Sequence, residues 1–294
     1  MAIEFQEIRL TTPHLELAGL RWGDPDGIPV LALHGWLDNA NSFAPLAPLL
    51  QGVDLVALDW PGHGQSQHRH PSAHYQFSEY LLDIDAALNA LGWGSCHLIG
   101  HSMGGGVGTL FACAAPERVR SLVLLDVIGP MSGTLEDTAD RLRRSLADSR
   151  KPARRRKRYE STEQMVQARM ANSDIQQDAA RLITERSAVA VDDGFEWRND
   201  PALYWTSPFY ITEEQALQCL SHIEAPVYSL IAQPFAPFIR EEQFQQRKQA
   251  IRRGRHELVE GGHHFHMEQP ETIAARLHCF IMEQEKIPKG ELGS

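Results

Sequence analysis

Residues 3–10 and 14–22 alternate between apolar and polar positions, the period of two that marks half-buried strands, and together they predict a hairpin. From Val30 the pattern changes to short continuous apolar runs: Val30–Leu33, Leu55–Leu58, His97–Ile99 and Leu122–Leu125. Runs of this length fit strands covered on both faces by helices. Segments of helical length lie between and after them, at 43–50, 77–91 and 103–114. In 77–91, Phe77, Tyr80, Leu81, Ile84, Leu88 and Leu91 fall on one face. Strand and helix in strict alternation imply right-handed crossovers and a doubly wound α/β sheet, mostly parallel.

The rhythm breaks between 130 and 218, where the chain is charged, Gln-rich and helical in composition, with no buried-strand run. It resumes with strands at Val227–Ile231 and His256–Val259 and a closing helix over 270–285; the tail after Lys286 reads as loose. The expected organisation is therefore a core in two parts, 1–129 and 219–294, with a helical insertion at 130–218.

Composition narrows the function classes. The chain has 294 residues, 43% hydrophobic and 22% charged, an ordinary globular mix. No apolar run approaches the roughly 18 residues a membrane helix needs, and Met1–Phe5 lacks the basic and apolar regions of a secretory signal. Cys96, Cys113, Cys219 and Cys279 lie far apart, without metal or disulfide spacing, which fits reduced thiols in a cytoplasmic protein. A net charge of −10 argues against general nucleic-acid binding. One stretch departs from it: Arg141–Arg158 holds ten Lys or Arg against Asp148, a local charge of +9. A solvated helix face is the ordinary reading of such a run, and an anionic substrate group the sharper one. The expected partner is a small molecule and the expected state a monomer or homodimer.

The strongest chemical signal is Gly100-His101-Ser102-Met103-Gly104, which follows one predicted strand and opens a helix. A serine there sits on a tight turn that lifts its hydroxyl clear of the sheet, and the flanking glycines remove side chains that would collide. The helix N-terminus beneath it favours developing negative charge. A serine hydroxyl needs a base. Gly261-Gly262-His263-His264-Phe265-His266 follows the last strand, and a loop there brings His263 over Ser102, with His264 and His266 as packing or solvent-facing residues. No HExxH or paired carboxylates accompany these histidines, so a metal site is not expected.

The base in turn needs a carboxylate to fix its tautomer. The loop after Val227–Ile231, residues 232–240, contains no acid. One strand after the nucleophile, Asp126 follows Leu124-Leu125 on the same sheet edge as Ser102 and is the preferred orienting acid. Donors for an oxyanion are expected from the backbone N–H of Met103 and, in His34-Gly35-Trp36, that of Trp36, with His34 bracing the loop. The turn-rich segment Asp59–Ser66 reads as structural.

His34-Gly35, Asp59-x-x-Gly62-His63-Gly64-x-Ser66, the turn at Ser102, and Gly262-His263 ahead of Glu268-Gln269-Pro270 together resemble the α/β-hydrolase superfamily over about 1–130 and 220–285. His34 to Phe43 further resembles the serine hydrolase-like branch. The resemblance implies an eight-stranded, mostly parallel sheet with helices on both faces, an inserted helical cap, and a Ser-acid-His triad. Most relatives carry the acid after the strand matching 227–231; some haloalkane dehalogenases carry it one strand earlier, as Asp126 does. Serine at 102 departs from the carboxylate nucleophile of dehalogenases and epoxide hydrolases and points to acyl transfer. The expected activity is carboxylester hydrolysis through Ser102, His263 and Asp126, with no cofactor or metal. Trp36, Met131 and Trp205 are expected to contact substrate. A thioesterase, including one acting on acyl-CoA, and a non-catalytic binding module are the alternatives.

Overall fold

The N-terminal alternation folds as expected: β1 (Gln6–Thr11) pairs antiparallel with β2 (Glu16–Gly23). The structure, a computed structural model, describes residues 5–71, 73–151, 156–237 and 239–286. Arg154 and Arg155 of the basic stretch, Phe238, Met1–Glu4 and the tail after Lys286 lie outside the described residues.

The continuous apolar runs become β3 (Ile28–Leu33), β4 (Val53–Leu58), β5 (Cys96–His101) and β6 (Val119–Leu125). Between them α1 (Glu79–Ala90) and α2 (Met103–Ala114) cross over the sheet. Four helices follow β6: α3 (Thr138–Ser149), α4 (Thr162–Met170), α5 (Gln177–Ser187) and α6 (Glu213–Ser221), with a hairpin of β7 (Ala188–Val191) and β8 (Gly194–Trp197) between the last two. The core resumes with β9 (Val227–Gln233), α7 (Glu241–Ala250), β10 (Gly254–Glu260), a short α8 (Phe265–Glu268) and α9 (Pro270–Glu285). Eight strands form one sheet in the order β1-β2-β4-β3-β5-β6-β9-β10. Only the pairings of β2 are antiparallel; the rest of the sheet is parallel.

Alternate residues of the central strands feed two cores. Leu31, Leu33, Leu98, Leu122 and Leu124 pack with α1 and α2 on one face, and Val30, Ile99, Val123 and Leu125 pack with α9 on the other. This two-sided burial is why the strands read as unbroken apolar runs. Two local expectations change. In place of a helix over 43–50 there are two short 3₁₀ turns, Ala40–Phe43 and Ala47–Leu49, because Pro45 and Pro48 lack the N–H that a continuous helix would use. The insertion also contains the β7–β8 hairpin, whose turn Asp192-Asp193 leads into Gly194 at φ 126°. Among the described residues no helix is long and apolar enough to cross a membrane.

Asp59, just past β4, ties the insertion to the sheet. Its carboxylate accepts from the backbone N–H of Ala40 (2.7 Å) and Gln65 (2.8 Å) and from Arg186 of α5 (2.9 Å). Arg186 also reaches Glu7 on β1 at 2.6 Å. Ser66 donates to the Asp59 carbonyl at 2.6 Å and accepts from the Ala18 N–H at 2.8 Å, so this turn-rich segment is a structural brace. Both Asp59 and Arg186 are buried, and removing Arg186 leaves the Asp59 carboxylate buried without its cation. Arg186→Ala is expected to cost about 3–5 kcal/mol in urea unfolding; a loss below about 1 kcal/mol, the scale of an exposed pair, contradicts this role.

Candidate active site

β5 ends one residue before Ser102, whose backbone lies at φ 50°, ψ −117°. The turn holds because its neighbours are glycines. A Cβ on Gly100 would meet the Gly105 Cα at 2.4 Å, and one on Gly104 would meet the Leu33 carbonyl oxygen at 2.1 Å. Ser102 is tied to the next strand by its N–H, which donates to Leu125 O at 3.0 Å. Its own carbonyl accepts from Gly105 and Gly106, both at 3.1 Å, so the hydroxyl-bearing residue caps α2 without spending its side chain.

Asp126 follows β6 and is also left-handed, at φ 51°. It is fully buried, and both carboxylate oxygens are used. Oδ2 lies 2.6 Å from His263 Nδ1, and Oδ1 accepts the Ala232 N–H at 2.8 Å. The Asp126 N–H donates to Leu230 O at 2.8 Å. The acid-free loop after β9 thus supplies backbone support for an acid carried one strand away. With Nδ1 turned to the carboxylate, proton exchange at this imidazole falls to Nε2. His263 and Ser102 line the same cavity, of about 1240 Å³.

Trp36, Met103, Met131 and Trp205 line it as well. The Trp36 indole donates to Leu203 O at 3.3 Å and packs edge-on against Tyr204, while Trp205 packs edge-on against His74. Among the described residues no hydrogen bond engages the backbone N–H of Trp36 or of Met103. His34 braces their loop: Nδ1 donates to Gly35 O (2.7 Å), Nε2 accepts the Trp60 N–H (3.1 Å), and the Trp60 indole donates to His34 O (2.9 Å). Leu37, at φ 62°, completes the turn; with Ser102 and Asp126 it makes up the positive-φ non-glycine residues among those described. All three adjoin this site, where backbone strain is commonly held in place by surrounding structure.

A layer of residues beneath the site escapes a motif reading. His101 donates through Nε2 to the carbonyl of His263 at 2.9 Å, fixing the loop that carries the imidazole. Its Nδ1 lies 3.4 Å from Asp38 Oδ2, and His264 Nε2 lies 3.4 Å from the same oxygen. Arg169 of α4 binds the other oxygen of Asp38. The charges of His264 and Arg169 hold the Asp38 carboxyl well below its usual range despite burial, and Asp38 raises His264 in return. Burial pushes His101 down to about 4, and His266, which contacts Ser42 at 2.9 Å, is lowered as well. Asp38, His101 and His264 are the described residues whose donor atoms come close enough to hold a metal ion; in this structure the Asp38 carboxylate already faces the Arg169 guanidinium and the His264 imidazole. Asp38 and Arg169 carry no local motif, and only the density of histidines around His263 hinted that a network lay here.

A family model described as the alpha/beta hydrolase fold matches residues 28–270. A serine hydrolase-like protein of Danio rerio is 33% identical over 289 residues, spanning 95% of this chain and 89% of that one. Among solved structures, a hypothetical protein of Pseudomonas aeruginosa superposes with a TM-score of 0.88 at 37% identity, covering 94% of this chain and 99% of that chain. The thioesterase domain from the curacin biosynthetic pathway shares the fold at 22% identity, with a TM-score of 0.83 over 95% of this chain and 99% of that domain.

The buried histidines set the response to acid. Burial lowers His34 to about 4 and His63 to about 3, as it lowers His101. An unfolded histidine takes a proton near 6.5 while these stay neutral, so their stabilisation is present above about pH 6.5 and is lost as pH falls toward 4. Each contributes a slope of about 1.4 kcal/mol per pH unit in that window. His264 has the opposite sign, its contribution being lost as pH rises through its elevated folded value, but it is one group against several. The urea midpoint is expected to be lower at about pH 5.5 than at about pH 7.5; an equal or higher midpoint in acid contradicts it.

Proposed function

Since the chain belongs to the α/β-hydrolase fold family, we propose that it is a serine hydrolase that cleaves carboxylic esters of small to medium acyl or alcohol groups through an acyl-enzyme. The observation that carries this reading is the 2.6 Å contact between His263 and Asp126, on an imidazole that shares its cavity with the strained Ser102.

The reaction follows from those positions. His263 takes the Ser102 proton on Nε2 as Oγ attacks the ester carbonyl carbon. The carbonyl oxygen becomes an oxyanion and accepts hydrogen bonds from the N–H groups of Trp36 and Met103, which have no partner in the described structure to give up. His263 then protonates the departing alkoxide, and the alcohol leaves with the acyl group on Oγ. Water enters, loses a proton to His263 and attacks the acyl carbon. Collapse of the second tetrahedral intermediate returns the proton to Ser102 and releases the acid. Asp126 stays ionised throughout, holding the tautomer and stabilising the imidazolium.

The segment between β6 and β9 serves as the cap in this scheme, with Met131 and Trp205 joining Trp36 around the substrate; their presence in the lining supports that assignment. The curated relatives bear the name serine hydrolase-like, in keeping with it.

Ser102→Ala is expected to abolish both p-nitrophenyl ester turnover and labelling by a fluorophosphonate. Asp126→Asn is expected to lower kcat by about 10²–10⁴ with little change in KM. Wild type that resists the fluorophosphonate rejects the nucleophile, and full activity in Asp126→Asn rejects the acid while keeping the enzyme class.

A further inference from the structure

The wall of the cavity carries a positive charge at odds with a chain of net charge −10. Arg156, Lys157, Arg169, Arg240 and Arg247 all line it, and among the described residues Asp38 is the one lining carboxylate. Two of the five cations are neutralised in place. Arg169 is bound to Asp38, and Arg247 makes two 2.8 Å contacts with the carboxylate of Glu213. Among the described residues, no carboxylate lies within 4.0 Å of the charged groups of Arg156, Lys157 or Arg240.

The way these cations are held is informative. The half-buried Arg156 donates to the carbonyl oxygens of Trp197 (2.7 Å) and Arg198 (3.4 Å), which orient the guanidinium but leave its charge uncancelled. Lys157 Nζ stands 4.9 Å from the centre of the Tyr159 ring, a contact that likewise keeps the charge. Trp197 and Tyr159 are themselves part of the wall. Arg141 lies over the ring of Tyr210, another lining residue, and adds positive potential behind it. By contrast Arg143, Lys151 and Arg158, from the same basic stretch but outside the lining, pair with Asp140, Asp148, and Asp193 with Glu196. In a concave site with apolar walls, uncompensated cations raise the local concentration of anions and reward a ligand that brings the missing charge.

We infer that the substrate is an anionic ester, with a carboxylate or phosphate on its acyl or alcohol part bound by Arg156, Lys157 and Arg240 while the scissile carbonyl lies at Ser102. This rests on the proposed esterase chemistry and specifies its substrate class. The volume, about 1240 Å³, leaves room for such a group beyond a short ester. A planar guanidinium fixed by two carbonyls is suited to the forked recognition of either oxyanion.

The test compares kcat/KM for three p-nitrophenyl esters of matched length: the neutral butyrate, the carboxylate-bearing hemiglutarate, and an analogue ending in a phosphate. An anionic ester is expected to exceed the neutral one by about tenfold or more at low ionic strength, with the advantage shrinking as salt is raised. The two anionic arms tell carboxylate from phosphate. Arg156→Gln is expected to reduce the anionic-to-neutral ratio by about tenfold, Arg156→Lys to restore much of it, and Lys157→Gln with Arg240→Gln to lower it further. Using the ratio cancels any general loss of folded enzyme. A neutral ester turned over as well as both anionic ones, with Ser102 still labelled by fluorophosphonate, overturns the substrate class alone. Absence of both turnover and labelling overturns the esterase reading and this inference with it. If Ser102 is labelled but no ester turns over, protection of labelling by glutarate or a phosphomonoester, and not by butyrate, supports the class; equal protection overturns it.

Discussion

The hydrogen bond between His263 and Asp126 is the contact on which the site depends. It spans 137 residues of sequence and joins the loop after β10 to the end of β6. A buried carboxylate is costly unless its oxygens are satisfied, and here one oxygen takes the imidazole and the other the Ala232 N–H. The backbone of Asp126, at positive φ, carries the side chain to His263, and β9 beside β6 supplies the Ala232 N–H that holds it there. The carboxyl edge of the sheet presents Ser102, Asp126 and the His263 loop together.

A second tier makes that geometry rigid. His101 hydrogen-bonds the His263 carbonyl from one side of the elbow, and Asp38 sits between His101, His264 and Arg169. Because Arg169 belongs to α4, the insertion is connected to the bed of the site by charge as well as by packing. The Asp59–Arg186 pair makes a second such connection through α5. In the proposed mechanism, substrate contacts from the insertion and proton transfer at the sheet edge would be mechanically linked, an arrangement that suits selection by the lid and chemistry by the sheet.

Much of this was legible in the sequence because it depends on short-range constraints. Buried strands need unbroken apolar runs, and the elbow needs Gly100 and Gly104 beside Ser102. That Asp126 would be the acid beside His263 could be expected by elimination, since residues 232–240 contain no acid, and the two side chains do meet. What stayed hidden depends on contacts between distant, individually unremarkable residues. Nothing near Asp38 or Arg169 announces that they meet, and the cations of Arg141–Arg158 look alike until the fold turns Arg156 and Lys157 inward and gives Arg158 to Asp193 and Glu196. The 3₁₀ turns at 40–49 follow from Pro45 and Pro48, where the breaking effect of proline outweighs the apolar pattern.

The central claim is covalent: during turnover the acyl group rides on the Ser102 oxygen. Wild-type protein mixed with a p-nitrophenyl ester, quenched in acid within the first turnovers and examined by intact and peptide mass spectrometry, tests it directly. The account predicts a species heavier by one acyl group, with the added mass confined to the peptide containing Ser102. Turnover without any acylated protein, or an acyl group carried on another residue, would contradict it.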